Sequence, residues 1–496
     1  MLELESWHKG LSLESLGRRL RSMPLFLLLI PYIFGILTAD YILLSDWVLI
    51  LGYVAVAVVV ICFRYRPLQI FALAVAMLCF GYTTTTLLRP TCDIADGEYI
   101  DARVRVEDIP TERDGYRLSH GIIEAWGSDS VAKGSNHAVV LWIRNDTIRE
   151  GDIVELHAKF SRRLSRHEAY DRLLRNRGFV GGLGIDDRTI VGVEHGDRQT
   201  LQSRAIRKLE RYMHDSVTHS TVEAMVVGSR RLETQALREA YSRTGLSHLM
   251  ALSGLHLGIV VMVLTLLLMP IILFRHGHRL HSLVVVAVLW VYVVMSGASA
   301  SIVRAALMFS VIYLAHASSM RYNSLNSLAV ALFAMLVYRP SYIYDVSFQL
   351  SAVAVVGIIV WGVPMMRRVA QQRPVVRMLL TTLIIGVTAT LWTMPIVSHT
   401  FESVPYMGVM ITPIAMITAY VIVCCGISAL LLPHPLAMPF AWCMAKAAWL
   451  QNSFVEWCAE WEWIGLSYQL PTWGVAIIYT LFAIITLCGW SLCEKK

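Results

Sequence analysis

Apolar runs of about twenty residues, the length that crosses a hydrocarbon core of roughly 30 Å, recur along this chain and leave few folds open to it. They lie at 24–38, 44–62, 68–88, 247–274, 282–298, 302–319, 324–338, 346–364, 378–398, 407–432 and 472–490. A twelfth, at 437–458, is interrupted by Lys446 and Glu456, which leaves its crossing open. The mean hydropathy of +0.56 and a charged fraction of 16%, against about a quarter in ordinary soluble domains, agree with that pattern. The chain reads as an α-helical polytopic membrane protein of about 11–12 spans, residing in the lipid bilayer.

Arg18, Arg19 and Arg21 precede the first run. They raise the question of a cleaved signal peptide, but no A-x-A-like site follows, and the run reads as a retained span. Arg64, Arg66, the RHGHRLH stretch at 275–281, Arg321, Arg367, Arg368, Arg373, Arg377 and the Lys495-Lys496 tail then fall on one side if every span crosses once. The positive-inside rule makes that side the cytoplasm. Eight of the nine cysteines lie in or beside apolar runs and only Cys92 borders the polar insertion, which therefore has no internal disulfide or thiolate metal site.

Four regions follow: a three-span membrane region (1–89), an extracytoplasmic β domain (90–198), amphipathic helices (199–246) and a second transmembrane domain (247–492). The β domain shows alternating stretches at 99–109, 116–126, 137–145, 152–160 and 189–195, separated by Gly, Asn and Asp turns. Five short strands suit a small OB-like β-barrel, with a sandwich as the rival. Helices are expected at about 199–216 and 221–243, lying against the membrane or the barrel. Residues 90–246 hold 24 Lys and Arg against 25 Asp and Glu, so the chain's net charge of +7 comes from the loops between spans. One local cluster stands apart: Arg162, Arg163, Arg166, Arg172, Arg175 and Arg177. It fits either a phosphate backbone or a solvated helix face, with Tyr116, Trp126 or Trp142 as stacking platforms if it binds nucleic acid.

Polar groups inside spans are the informative ones, because a charged side chain at a helix centre costs about 2.5–3.5 kcal/mol on insertion scales. Three groups stand out. His248, Ser253, Gly254 and His256 head the run at 247–274; SGASASIVRAALM at 296–308 ends its small residues at Arg304; Asp345 and Gln349 open the run at 346–364. Runs of Gly, Ser and Ala allow either close packing or a helix break that presents backbone groups to a polar passage. Arg304 has no acid nearby in sequence; it meets a phosphate or pairs with Asp345.

Ser253 and His256, three apart on a helix, with no G-x-S-x-G around them, do not make a nucleophile and base. HGHRLH has Leu280 where a zinc-binding H-x-H-x-D-H motif carries its acid, so it reads as a cationic anchor loop. There is no P-loop. No catalytic residue, metal or cofactor is expected.

AMVVGSRR…LREAYSRTGLSHLMALSGLHLGIV (224–260), MSGASASIVRAALM and NSLAVALFAMLVYRPSYIYDVSFQLSAVAVVG together resemble the competence region of ComEC-type proteins. EAYDRLLRNRGFVGGLGI (168–185) is similar to the end of that family's outer OB-like domain, without the usual Asn-Pro-Gly lead-in. The resemblance implies a channel passing single-stranded DNA across the bacterial inner membrane during natural transformation. Many members carry a carboxy-terminal metallo-β-lactamase-like domain; this sequence stops at SLCEKK after its last run, so the expectation is a non-enzyme. Expected partners are single-stranded DNA, an extracytoplasmic DNA receptor, cytoplasmic single-strand-binding or recombination proteins, and a separate nuclease and motor. His248, Ser253, Gly254, His256, Arg304, Asp345 and Gln349 are the expected path-lining or helix-break residues. A transporter of another anion and a non-conducting scaffold are the alternatives.

Overall fold

The computed structural model describes residues 22–41, 47–61, 66–89, 92–108, 110–113, 115–127, 133–165, 171, 174–175, 178–195, 200–213, 215–318, 323–401, 407–461 and 468–492. Three helices open it: α1 (Pro24–Tyr41), α2 (Trp47–Ile61) and α3 (Arg66–Leu87). After the β domain come α4 (Leu201–Glu210), α5 (Ser216–Val222), α6 (Gln235–Arg243), α7 (Ser247–Met250), α8 (Gly254–Leu267), α9 (Gly277–Met295) and α10 (Ala300–Ala317). The rest are α11 (Ser324–Tyr338), α12 (Val346–Arg368, with a π-helical turn at Ile358–Gly362), α13 (Pro374–Phe401), α14 (Gly408–Leu431), α15 (His434–Ala459) and α16 (Thr472–Leu492).

Among the described residues six helices are long and apolar enough to cross a membrane: Leu68–Leu87 within α3, α9, α10, α12, α13 and α14. Four more are apolar but shorter: Pro24–Ala39, α8, α11 and Thr472–Cys488. The run at 247–274 shows why the count by length falls below the eleven or twelve apolar runs. It divides into the single turn α7, a non-helical step at 251–253, α8 and a 3-10 turn at Met269–Leu273. The 14 residues of α8 reach only about 21 Å at 1.5 Å per residue. Across 437–458, by contrast, the helix α15 is continuous, and Lys446 lies over the Trp449 ring at 6.0 Å.

The first three helices pack through glycines. A Cβ at Gly35 of α1 would lie 2.0 Å from the Leu78 carbonyl oxygen, and one at Gly81 of α3 would lie 2.2 Å from that of Tyr32. Only absent side chains let these backbones come so close. Tyr32, Ile36 and Leu29 then join Leu328, Leu332 and Leu336 of α11 in one core.

The β domain closes on itself. β1 (Tyr99–Val106), β3 (Tyr116–Gly127), β4 (Lys133–Ile143), β6 (Phe179–Ile185) and β5 (Ile153–Ser161) pair in that order, and β5 pairs back onto β1. The result is a five-stranded barrel with one parallel pair, β4 with β6, in keeping with an OB-like architecture and not a sandwich. β2 (Thr111–Arg113) and β7 (Ile190–Glu194) attach at β3 and β5 outside the ring. Alternation builds the core: Ile100, Ala102, Val104 and Val106 of β1 meet Val154, Leu156, Ala158 and Phe160 of β5. In β6 a Cβ at Gly181 would sit 2.1 Å from the Phe160 ring, and one at Gly182 would sit 2.3 Å from the Trp142 ring. The glycines are the space those two rings occupy.

Residues 200–246 form part of the helical core. Thr218–Val227 is buried throughout, packed with residues of α14 and α15 such as Ile411, Ile422, Met444 and Val455. This segment is sunk among the helices, whereas α4 and α6 bury one face and expose the other, α4 beside the barrel. The helix expected over 221–243 is broken: α5 runs into a π-helical turn (Glu223–Val227) that ends at Gly228 with φ 77°. Lys208 of α4 donates to the Leu430 and Leu432 carbonyls at 2.7 and 2.9 Å, satisfying acceptors left open at the end of α14. Asn452 of α15 accepts from Thr221 and from Tyr241, both at 2.9 Å.

Candidate functional site

Three loops meet where α8 and α10 begin. A Cβ at Gly228 would lie 2.6 Å from Leu252 Cδ1 and 2.7 Å from the Ser296 carbonyl oxygen. This places the turn after the π helix, the ALSG step and the SGAS turn in direct contact. Tyr292 donates to the Val226 carbonyl at 2.9 Å and Arg230 to that of Met250 at 3.3 Å, stitching the same loops together. The SGAS turn reverses the chain through two residues with positive φ, Gly297 (77°) and Ala298 (48°), while their N–H groups return to the Val294 and Val293 carbonyls. A non-glycine residue there carries backbone strain.

The break before α8 follows from its residues. Ser253, in extended backbone, caps α8. His256 reaches back so that its Nδ1 accepts the Ser253 N–H at 3.2 Å and lies 2.9 Å from Ser253 Oγ, a reciprocal cap with an imidazole in place of the usual carboxylate. A nitrogen that accepts a backbone N–H carries no proton, so the network assigns the hydrogen to Nε2. That atom is buried and has no hydrogen-bond partner among the described residues. His256 itself is fully buried.

Arg304 lies in the second turn of α10, 4% exposed. Its Nη2 is 3.6 Å from the point a Gly254 Cβ would occupy, and its Nε and Nη1 have no hydrogen-bond partner. The alternative pairing with Asp345 is not made. Asp345 instead caps α12 by accepting the Phe348 N–H at 3.2 Å, and Gln349 donates to the Ile343 carbonyl at 2.7 Å. The structure thus brings Ser253, Gly254, His256 and Arg304 together. It sets Asp345 and Gln349 at the head of α12, which packs against α10. His248 is exposed, with Nδ1 against the Gly245 carbonyl at 3.0 Å. Buried N–H donors are normally satisfied; His256 and Arg304 together leave three that are not, all at the mouth of a broken helix whose first N–H groups also seek an acceptor. The arrangement is suited to an oxyanion.

In the β domain Arg162 donates to the Ile94 carbonyl at 3.0 Å, and Arg175 to Asp171 and the Arg162 carbonyl, both at 2.7 Å. Arg163 donates to the Ser165 carbonyl at 3.1 Å. All three stay exposed, so their charges are held in place at the surface. Burial works to raise the Asp171 carboxyl, but hydrogen bonds from Arg175 and from the Leu164 and Ser165 N–H groups hold it below the usual range. Arg166, Arg172 and Arg177 lie outside the described residues. Tyr116, Trp126 and Trp142 are each half-buried. The exposed ring is Tyr99, stacked on His157 at 5.6 Å, which the sequence reading did not select. It also missed Gly228 and Arg230, though a glycine between an apolar run and two arginines was the available signal.

The model of the family described as Competence protein matches residues 225–492, more than half of the chain. The chain belongs to the competence protein family. All seven membrane-site residues fall inside the matched stretch, and with its six long apolar helices the chain is a multi-pass membrane protein. ComE operon protein 3 of Bacillus subtilis (strain 168) is 31% identical to it over 130 residues, which are 26% of this chain and 16% of that protein. No solved structure matches the chain.

Proposed function

We propose that this competence family member passes single-stranded DNA across the bacterial inner membrane. The membrane domain forms the path, and the outer barrel captures the strand. The observation that carries the reading is the set of buried, unsatisfied donors on His256 and Arg304. A structural core would have satisfied or excluded them; a moving polyanion supplies acceptors one phosphate at a time. A path with few cations and several neutral donors attracts phosphates without trapping them. Here Arg304 contributes the charge, His256 Nε2 a neutral donor, and Ser253, Gly254 and the SGAS turn the broken backbone. His248, Asp345 and Gln349 extend the polar lining towards either end.

On the barrel, the exposed Arg162, Arg163 and Arg175, with the remaining arginines of the cluster, supply phosphate contacts and Tyr99 a stacking face. Stacking contributes about 1–3 kcal/mol per base. The extracytoplasmic receptor, the cytoplasmic single-strand-binding or recombination proteins, and a separate nuclease and motor belong to this reading as partners.

Uptake of end-labelled DNA into the cytoplasm tests it. Arg304→Ala and His256→Ala should each abolish uptake while the protein still inserts at wild-type level, and Arg304→Lys should retain part of it. Normal uptake in both alanine variants removes these residues from the path. Entry of one strand only separates this reading from a carrier of small anions and from a non-conducting scaffold.

A further inference from the structure

Away from the broken helix, Glu210 at the end of α4, His219 on α5 and Glu223 in the π-helical turn converge. One ligand atom from each lies within 4.8 Å of the others. Glu223 is completely buried and His219 is 9% exposed. His219 Nε2 is 2.9 Å from Glu223 Oε1, a salt-bridge distance, but the contact lacks the angles of a good hydrogen bond and Nε2 has no other hydrogen-bond partner among the described residues. The nitrogen and oxygen are close without pointing at one another. That is the disposition of two ligands sharing one ion, whose lone pairs converge on a point beside the line joining them at bond lengths of about 2.0–2.2 Å.

The charges give a second, independent reason. Arg231 Nη2 is 2.8 Å from Glu223 Oε1 and also contacts Glu210. Two carboxylates and one guanidinium leave a net charge of −1 while the imidazole is neutral, and one of the carboxylates has no access to water. Arg231 balances the buried Glu223, and the remaining negative charge rests on Glu210, whose side chain is 39% exposed and open to an ion. A divalent cation balances the two carboxylates only as Arg231 leaves, and the 26% exposure of that side chain gives it somewhere to go. Arg231 and Glu210 both line a cleft of about 1030 Å³ between the barrel and α4, which provides the ion's way in and the guanidinium's way out.

We propose that Glu210, His219 and Glu223 form a binding site for one divalent transition-metal ion, with Arg231 as the cation that takes its place when the ion is absent. One imidazole nitrogen and two carboxylates select a borderline ion such as zinc or manganese over magnesium or calcium, which prefer all-oxygen shells. The bound ion ties the end of α4, which follows the barrel, to the turn that packs into the membrane helices.

The full chain, purified in detergent and stripped with a chelator, is titrated with Zn²⁺ or Mn²⁺ by calorimetry, with bound metal counted by mass spectrometry. One equivalent is expected. Glu223→Gln and His219→Ala, checked for wild-type elution on gel filtration, should each weaken binding by about tenfold or more. Arg231→Ala should bind at least as tightly as wild type, because it removes the competing cation. Metal binding that ignores Glu223→Gln and His219→Ala, or none by either wild type or Arg231→Ala, overturns the site and leaves an ion-pair cluster only. Loss of binding in Arg231→Ala alone overturns the role given to that residue. DNA uptake plays no part in the readout, so the outcome is independent of the channel reading.

Discussion

Arg304 and Gly254 are in contact across the interface of α10 and α8: the guanidinium Nη2 stands 3.6 Å from where a Gly254 side chain would begin, with Ala305 Cβ at 3.5 Å from the same point. Both distances are ordinary van der Waals separations, so one methyl group fits and a branched side chain does not. Gly254→Ala should therefore assemble normally and take up DNA within a few-fold of wild type. Gly254→Val should insert yet lose uptake by tenfold or more, at roughly 1.4 kcal/mol per factor of ten, because its methyls displace Arg304. Equal uptake by the two variants in a transformation assay would mean that the contact has no functional weight.

The glycine crossing of α1 and α3 gives a stability prediction that does not depend on DNA. A methyl at Gly35 or Gly81 would meet a backbone carbonyl oxygen at 2.0 or 2.2 Å, and backbone cannot rotate away as a side chain can. Gly35→Ala and Gly81→Ala should each destabilise the protein by about 1–3 kcal/mol, the usual cost of overpacking. Thermal unfolding in detergent measures this. Gly386→Ala, whose added methyl meets nothing within 4 Å, should leave the midpoint nearly unchanged.

Asp171 sets a pH dependence in the outer domain. Its carboxyl titrates below the usual carboxylate range because Arg175 and two backbone N–H groups bond to it. A carboxyl with a lowered folded-state pKa stabilises the fold above its unfolded pKa of about 3.9, and the contribution disappears as pH falls through the folded value. The stability gap between wild type and Asp171→Asn should stay constant from pH 8 to pH 5 and narrow below about pH 4. A gap that instead widens on acidification contradicts the assigned hydrogen bonds.

What could be read from sequence follows from which forces are local. Apolar runs announce membrane helices because lipid imposes composition residue by residue, and the alternation of β1, β3 and β5 announces half-buried strands. The strand that closes the barrel, β6, did not stand out: its three glycines in FVGGLGI suppress every strand signal, and their purpose, room for Phe160 and Trp142, exists only in the folded barrel. β7 had the better pattern yet lies outside the ring. At the site, Arg304 and His256 were legible as polar groups in apolar surroundings. The Asp345 cap on the Phe348 N–H three residues on is local and could have been read as an N-cap, whereas the meeting of Arg304 with Gly254 depended on packing between segments 50 residues apart. The Glu210, His219 and Glu223 cluster was hidden for the same reason, since its members are spread over two helices and a turn.

The most direct test of the central claim, that the step before α8 faces water and a passing polyanion, is chemical access to that step. In a chain whose nine native cysteines are replaced, Ala251→Cys is exposed to a membrane-impermeant anionic thiol reagent, with and without a single-stranded oligonucleotide. Labelling from the aqueous phase, slowed by the oligonucleotide, is the expected result. A thiol that stays unmodified in the folded protein but reacts once it is unfolded would place this step in a sealed interior and contradict the claim.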